Sequence, residues 1–82
     1  MSVRVLLFAA LRERAGWGER RLELGAAQAS PTTIWRQLAG ELGEGSVLPD
    51  GIRVAVNQCF ADPGIPLADG DEVAFLPPIS GG

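Results

Sequence analysis

The sequence has 82 residues, 46% of them hydrophobic, which predicts one small domain. Its formal net charge is −3, and its seven arginines are scattered. This charge pattern argues against nucleic acid or an anionic membrane as the main partner. The absence of His, Tyr and Lys, together with a single Cys, excludes most general-base chemistry, a Cys–His dyad and an imidazole metal site, so we do not expect an enzyme in its own right. The longest apolar run, residues 5–11, is too short to span a bilayer and is no signal peptide, and the unpaired cysteine favours the cytoplasm.

The first part of the chain predicts a strand, a short helix and a second strand. Residues 2–8 alternate between apolar and polar or mixed positions, which predicts a strand with one buried face. Good helix formers follow, and Gly16 is typical of a helix end. Residues 20–24 place two leucines on one side, which predicts a second strand paired antiparallel with the first.

The clearest helix covers residues 30–43. Ser30 or Thr32 can cap its start, and Pro31 is tolerated in the first turn. Apolar side chains recur along one face, at Ile34, Trp35, Leu38, Ala39 and Leu42. This stripe could bind a partner, but covering a sheet is the better interpretation because so small a domain has little else to build a core.

The remaining chain predicts three strands. Residues 52–56 alternate, and Asn57 is a candidate for a left-handed turn position before a short extended segment in which Cys59 is expected to be half buried. A turn at residues 68–71 leads into a last strand, residues 72–76. The acidic side chains here are those of Asp69, Asp71 and Glu72. They could act as acids, but a solvated turn is the better interpretation.

This order of elements predicts an α+β domain with its main helix packed on one face of a mixed sheet of four to five strands. In the β-grasp arrangement the first and last strands lie side by side at the centre of the sheet. We therefore expect a domain over residues 1–76 and an extended, flexible tail, residues 77–82, that leaves from the centre.

Three segments together resemble a known family: residues 8–16 (FAALRERAG), 54–58 (VAVNQ) and 66–82 (PLADGDEVAFLPPISGG). They resemble the MoaD family, the ubiquitin-like β-grasp sulfur carriers that form the small subunit of molybdopterin synthase. The resemblance covers the whole chain, although residues 17–50 match only in pattern. Its most specific part is GDEVAF followed by two prolines, one residue and Ser-Gly-Gly.

The resemblance implies a sulfur-donating, non-catalytic subunit of a sulfurtransferase complex. An ATP-dependent, E1-like activating enzyme (MoeB-type) would adenylate the carboxylate of Gly82, and sulfur from a donor would leave a thiocarboxylate. The tail would then enter the active site of the large, MoaE-type subunit and convert a cyclic pyranopterin precursor to the dithiolene of molybdopterin. Two small subunits would flank a dimer of large subunits. This chain would bind no cofactor, ATP being used by the activating enzyme.

The tail itself suits such chemistry. The residues expected to thread the partner's channel are Pro77, Pro78, Ile79, Ser80 and Gly81. Glycine without a Cβ fits a narrow channel, and the prolines hold the base of the tail extended, which lowers the cost of ordering it. Six extended residues reach roughly 20 Å, enough to enter a buried site. A frayed terminus would explain the glycines but not the prolines.

A docking surface is also implied. Phe8 and Leu76 fall on the strand face opposite the helix, with Phe60 near them, and family members carry partner-binding apolar residues at these positions. Arg12 would make a polar contact at the rim. The competing interpretations are core packing for each apolar residue and a solvated helix charge for Arg12.

Three alternatives remain open from the sequence. The chain could carry sulfur for another pathway, such as thiamin, cysteine or tRNA thiolation. It could be a ubiquitin-like modifier joined to lysines of other proteins. It could also be an interaction module with an inert tail.

Overall fold

The computed structural model describes residues 1–25, 29–43, 45 and 47–78. Within these ranges the chain forms five strands and two helices. They are β1 (Ser2–Leu7), α1 (Ala9–Ala15), β2 (Glu19–Glu23), α2 (Pro31–Leu42), β3 (Arg53–Val56), β4 (Cys59–Phe60) and β5 (Glu72–Leu76). Every helix and strand that the sequence predicts is present. The ends of β1 and β2 differ from the predicted ends by one residue at most. No helix in the described ranges has the length and apolar character to cross a membrane.

The strands form one mixed sheet in the order β2-β1-β5-β3-β4. The central pair, β1 and β5, is parallel, with Val5 opposite Val73 and Leu7 opposite Phe75, whereas the other neighbours are antiparallel. The first and last strands therefore lie side by side at the centre, and the predicted β-grasp fold is confirmed. Because β5 is a central strand, the chain leaves the sheet from its middle at residue 77.

The core lies between one face of the sheet and helix α2. The alternating residues of β1 that the sequence assigns to the buried face are almost fully covered, as is the whole predicted stripe of α2: Val3, Val5, Leu7, Ile34, Trp35, Leu38, Ala39 and Leu42. Burying a Val, Leu or Ile side chain stabilises a domain by roughly 1.5–3 kcal/mol. The stripe of α2 thus covers the sheet and is not a free partner-binding face.

Helix α2 begins at a complete capping box. The Oγ of Ser30 accepts a hydrogen bond from the backbone N–H of Thr33 at 3.3 Å, and the Oγ1 of Thr33 accepts one from the N–H of Ser30 at 2.9 Å. Ser30 rather than Thr32 is therefore the cap. Thr32 instead donates from its Oγ1 to the carbonyl of Pro63 at 2.9 Å. Gly43, with φ of 69°, ends the helix in the left-handed conformation.

The acidic turn before β5 has a structural role. A carboxylate oxygen of Asp71 accepts from the N–H of Ala68 at 2.8 Å and the other accepts from the side-chain amide of Asn57 at 3.0 Å. These bonds, chiefly the backbone one, hold the pKa of Asp71 below its ordinary value. Asp69 accepts from the N–H of Ser2 at 2.7 Å. The carboxylates therefore tie the turn to β1 and to the β3–β4 hairpin.

Cys59 differs from its prediction, because it is exposed rather than half buried. Strand β4 has two residues and stands at the edge of the sheet, where it pairs only with β3. Alternation alone does not reveal how little of so short an edge strand is covered.

Candidate partner-docking groove and tail base

The face of the sheet opposite α2 carries an open apolar groove of about 360 Å³. Its apolar lining is Leu6, Phe8, Ala55, Phe60, Ala74 and Leu76. The structure thus brings together the three apolar residues that the sequence singles out, although they lie on β1, β4 and β5 or just beyond them. Their role in binding a partner stays a prediction.

Strand register explains how the groove forms. Ala74 of the central β5 stands opposite Leu6 on one side and Ala55 on the other, and Ala55 in turn pairs with Phe60. Two small side chains therefore make the floor, while larger ones form the walls. Phe8 stands at the N-cap position of α1 with extended backbone, and it lines the groove together with these residues.

The two phenylalanines of the groove are too exposed to be core residues. Phe60 is 65% exposed and Phe8 is 42% exposed. The guanidinium of Arg53 lies over the Phe60 ring, 4.3 Å from its centroid, and this cation–π contact favours one orientation of the ring. Exposed aromatic side chains beside a concave apolar floor are typical of a protein–protein interface.

One end of the groove is charged. Arg4 donates a hydrogen bond to Glu72 and lies 3.6 Å from a carboxylate oxygen of Glu19. The bond to Glu72, and then the charge of Glu19, raise the pKa of the Arg4 guanidinium. A second, polar pocket of about 350 Å³ adjoins at this end, and Gln58 and Glu72 line both.

The base of the tail lies beside the loop at residues 49–52. A cavity of about 830 Å³ lies between the start of α1, the loop at residues 49–52 and Pro77 with Pro78. Gly51 approaches the tail so closely that a Cβ there would stand 3.2 Å from Cγ of Pro78. The predicted tail residues Ile79, Ser80, Gly81 and Gly82 lie outside the described residues.

Arg12 is not part of the groove. It is exposed on α1, and its side chain lies over Gly18, where a Cβ would stand 2.9 Å from its Nε. Its predicted contact at the rim of a partner interface stays a prediction. Within the described ranges no group of three or more Cys, Asp or Glu side chains could hold a metal ion.

The sequence prediction missed part of the groove. Alternation places Leu6 on the same face as Phe8, and Ala74 on the same face as Leu76, but the predicted docking surface does not include them. Ala55, out of phase with the buried Val54, could have been added by the same argument. The contact between Arg53 and Phe60 has no such signal, because it depends on the pairing of β3 with β4.

Comparison with known proteins finds relatives along the whole chain. The sequence matches the ThiS family over residues 5–82. It is 38% identical to the molybdopterin synthase sulfur carrier subunit of Chlamydomonas reinhardtii, with 100% of both chains covered. It is 37% identical to the subunit of the same name from Escherichia coli K12, with 98% of this chain and 99% of the relative covered.

Solved structures show the same fold. SAMP1 from Haloferax volcanii superposes with a TM-score of 0.84 at 32% identity, with both chains fully covered. A complex of subunits 1 and 2 of the molybdopterin-converting factor from Helicobacter pylori contains a chain that superposes with a TM-score of 0.62 at 26% identity, again with full coverage. The resemblance to MoaD-type carriers is confirmed, and the chain belongs to the ThiS family, alongside the molybdopterin synthase sulfur carrier subunits that it matches along its length.

Proposed function

We propose that this chain is the sulfur carrier subunit of a molybdopterin synthase. The observation that carries the proposal is the junction at Leu76, where the central strand passes beside an exposed apolar groove and into the proline base of the tail. Identities of 37% and 38% over nearly full length to subunits of that name support it.

The reacting group of the chain is the carboxylate of Gly82. A carboxylate is a poor electrophile, so an activating enzyme first joins it to AMP from ATP with loss of pyrophosphate. A sulfur donor then displaces AMP and leaves a thiocarboxylate, which donates its sulfur to a cyclic pyranopterin precursor. No residue of the chain acts as acid or base in these steps, and ATP is bound by the activating enzyme.

The groove serves as the docking surface for both partners. Phe8, Phe60 and Leu76 pack against the large subunit while the tail extends into its active site, and the activating enzyme uses the same surface in turn. The Helicobacter pylori complex of subunits 1 and 2 supports a large subunit as partner. Two small subunits flank a dimer of large subunits. The assembly works in the cytoplasm, where the single cysteine needs no disulfide partner.

Intact mass spectrometry tests the carrier step. The chain is incubated with its activating enzyme, ATP and a sulfur donor, beside a variant that lacks Gly82. We expect the full chain, and not the shortened one, to gain the mass of one oxygen exchanged for one sulfur. Adding the large subunit and the precursor should then yield molybdopterin. An unchanged mass with a competent activating enzyme would leave an interaction module as the better interpretation.

A second function is favoured by one observation. The similar solved structures include small archaeal modifier protein 1 from Haloferax volcanii, with TM-scores of 0.80 and 0.84, so the same activated tail could be joined to lysines of other proteins. Lysine-linked adducts of this chain in cell extract would support a modifier. A thiocarboxylated chain that forms no adducts and feeds thiamin, cysteine or tRNA thiolation instead would indicate another sulfur pathway.

A further inference from the structure

Gln58 occupies a backbone conformation that disfavours its side chain. It is the second residue of the two-residue turn between β3 and β4, and both turn residues have positive φ, 51° for Asn57 and 70° for Gln58. Turns of this kind favour Asn followed by Gly, because a Cβ in the left-handed region is strained. A glutamine at this position therefore costs stability that glycine would not.

The left-handed conformation of Asn57, the first residue of the turn, has a structural explanation. Asn tolerates the left-handed region, and the side chain of Asn57 donates to Asp71 and accepts from the N–H of Glu72, each at 3.0 Å. By contrast, the side chain of Gln58 makes no hydrogen bond with any described residue. Nothing within the described fold thus accounts for a strained glutamine.

The position of Gln58 suggests what its side chain does. It is exposed and lines both the apolar groove and the adjoining polar pocket. It therefore stands at the border between the Phe60 wall and the charged end around Arg4. A primary amide both donates and accepts hydrogen bonds, so it can pair with a peptide group of a partner's main chain at this border.

We propose that Gln58 determines specificity at the docking groove, where its amide pairs with a main-chain peptide group of the synthase large subunit. The inference rests on the proposed function, since it takes the large subunit as the occupant of the groove. The apolar walls supply contact area, whereas the amide rejects partners that leave it without a hydrogen bond, because an unpaired polar group in a closed interface is costly.

Two substitutions separate the effect of the Gln58 amide on binding from the effect of its strained backbone conformation on stability. Gln58→Gly removes both, and Gln58→Ala removes the amide while keeping a Cβ in the left-handed region. Binding of the purified large subunit to each full-length variant is measured by titration calorimetry, and thermal unfolding is followed by circular dichroism. We expect both variants to bind about tenfold more weakly, and Gln58→Gly alone to unfold at a higher temperature, by roughly 4–8 °C.

Wild type and Phe60→Asp make the outcomes distinguishable. If wild type does not bind the large subunit, the proposed function fails together with this inference. If wild type binds, Phe60→Asp does not, and both Gln58 variants bind as wild type does, the inference alone is overturned. Weaker binding by Gln58→Gly but not by Gln58→Ala would assign the effect to turn flexibility and overturn it too.

Discussion

The ring centroids of Trp35 on α2 and Phe75 on β5 lie 5.5 Å apart, with the ring planes tilted by 56°. Both side chains are fully buried. The next residue, Leu76, faces the docking groove, and the prolines of the tail base follow it. Strand β5 therefore places one side chain in the core and the next in the groove, directly before the prolines at the base of the tail.

Replacing the buried Phe75 should therefore destabilise the whole domain. Phe75→Ala leaves a cavity beside Trp35 and is expected to lower the free energy of unfolding by about 3–5 kcal/mol, measured by urea denaturation. Leu76→Ala, one residue later on the half-buried groove side, should cost clearly less. Equal losses from the two variants would contradict the assignment of Phe75 to the core and Leu76 to the surface.

Charges placed in the groove should weaken binding without unfolding the domain. Phe8→Asp and Leu76→Asp each put a carboxylate on a surface that a partner must desolvate, and we expect affinity for the large subunit and for the activating enzyme to fall by about 30-fold or more. Gln37→Asp, on the exposed side of α2, adds the same charge elsewhere and should bind as wild type does. Loss of the folded circular dichroism spectrum in the groove variants would place these side chains in the core instead.

The fold was largely predictable because its signals are local. Alternation places Val5 in the core, and a serine before a proline and an apolar stripe marks the start of α2. The groove was predictable only in part, since Phe8 and Leu76 follow from strand parity. The role proposed for Gln58 was not predicted because it depends on a positive φ angle that the sequence does not reveal. The contact of Arg53 was not predicted because its partner, the Phe60 ring, lies on another strand. Exposure of Cys59 likewise depends on how the edge of the sheet is covered.

The bonds to Asp71 predict a loss of stability in acid. Its pKa in the folded protein lies below the ordinary 3.8 because Ala68 and Asn57 donate to the carboxylate. The stabilisation is therefore complete above about pH 4 and is lost as the pH falls through the lower folded pKa. Asp71→Asn should flatten the dependence of the unfolding free energy on pH below about pH 4, whereas Asp50→Asn, in an exposed loop, should leave its slope close to that of wild type. A wild-type slope for Asp71→Asn would contradict the prediction.

Two glycines at the end of α2 should respond to the same substitution with opposite signs. Gly40 lies within the helix and a Cβ there would meet nothing within 4 Å, so Gly40→Ala should raise the free energy of unfolding by about 0.5–1 kcal/mol. Gly43 has φ of 69°, and Gly43→Ala should lower it by about 1–2 kcal/mol. Thermal denaturation of the pair measures both, and a gain at Gly43 would mean that the helix does not end in the left-handed conformation.

The close approach of Gly51 to Pro78 predicts a variant that folds but delivers sulfur poorly. In Gly51→Val the new Cβ would stand 3.2 Å from Cγ of Pro78, and its methyl groups would crowd the proline further, so the base of the tail is expected to shift away from the loop. We expect the rate of sulfur transfer from the thiocarboxylated chain to fall by about tenfold, because small misplacements of a reacting group are costly. Gly25→Ala adds a Cβ that meets nothing within 4 Å and serves as the control. Single-turnover formation of molybdopterin measures the rate, and an unchanged rate for Gly51→Val would mean that the tail reaches the large subunit independently of where its proline base is held.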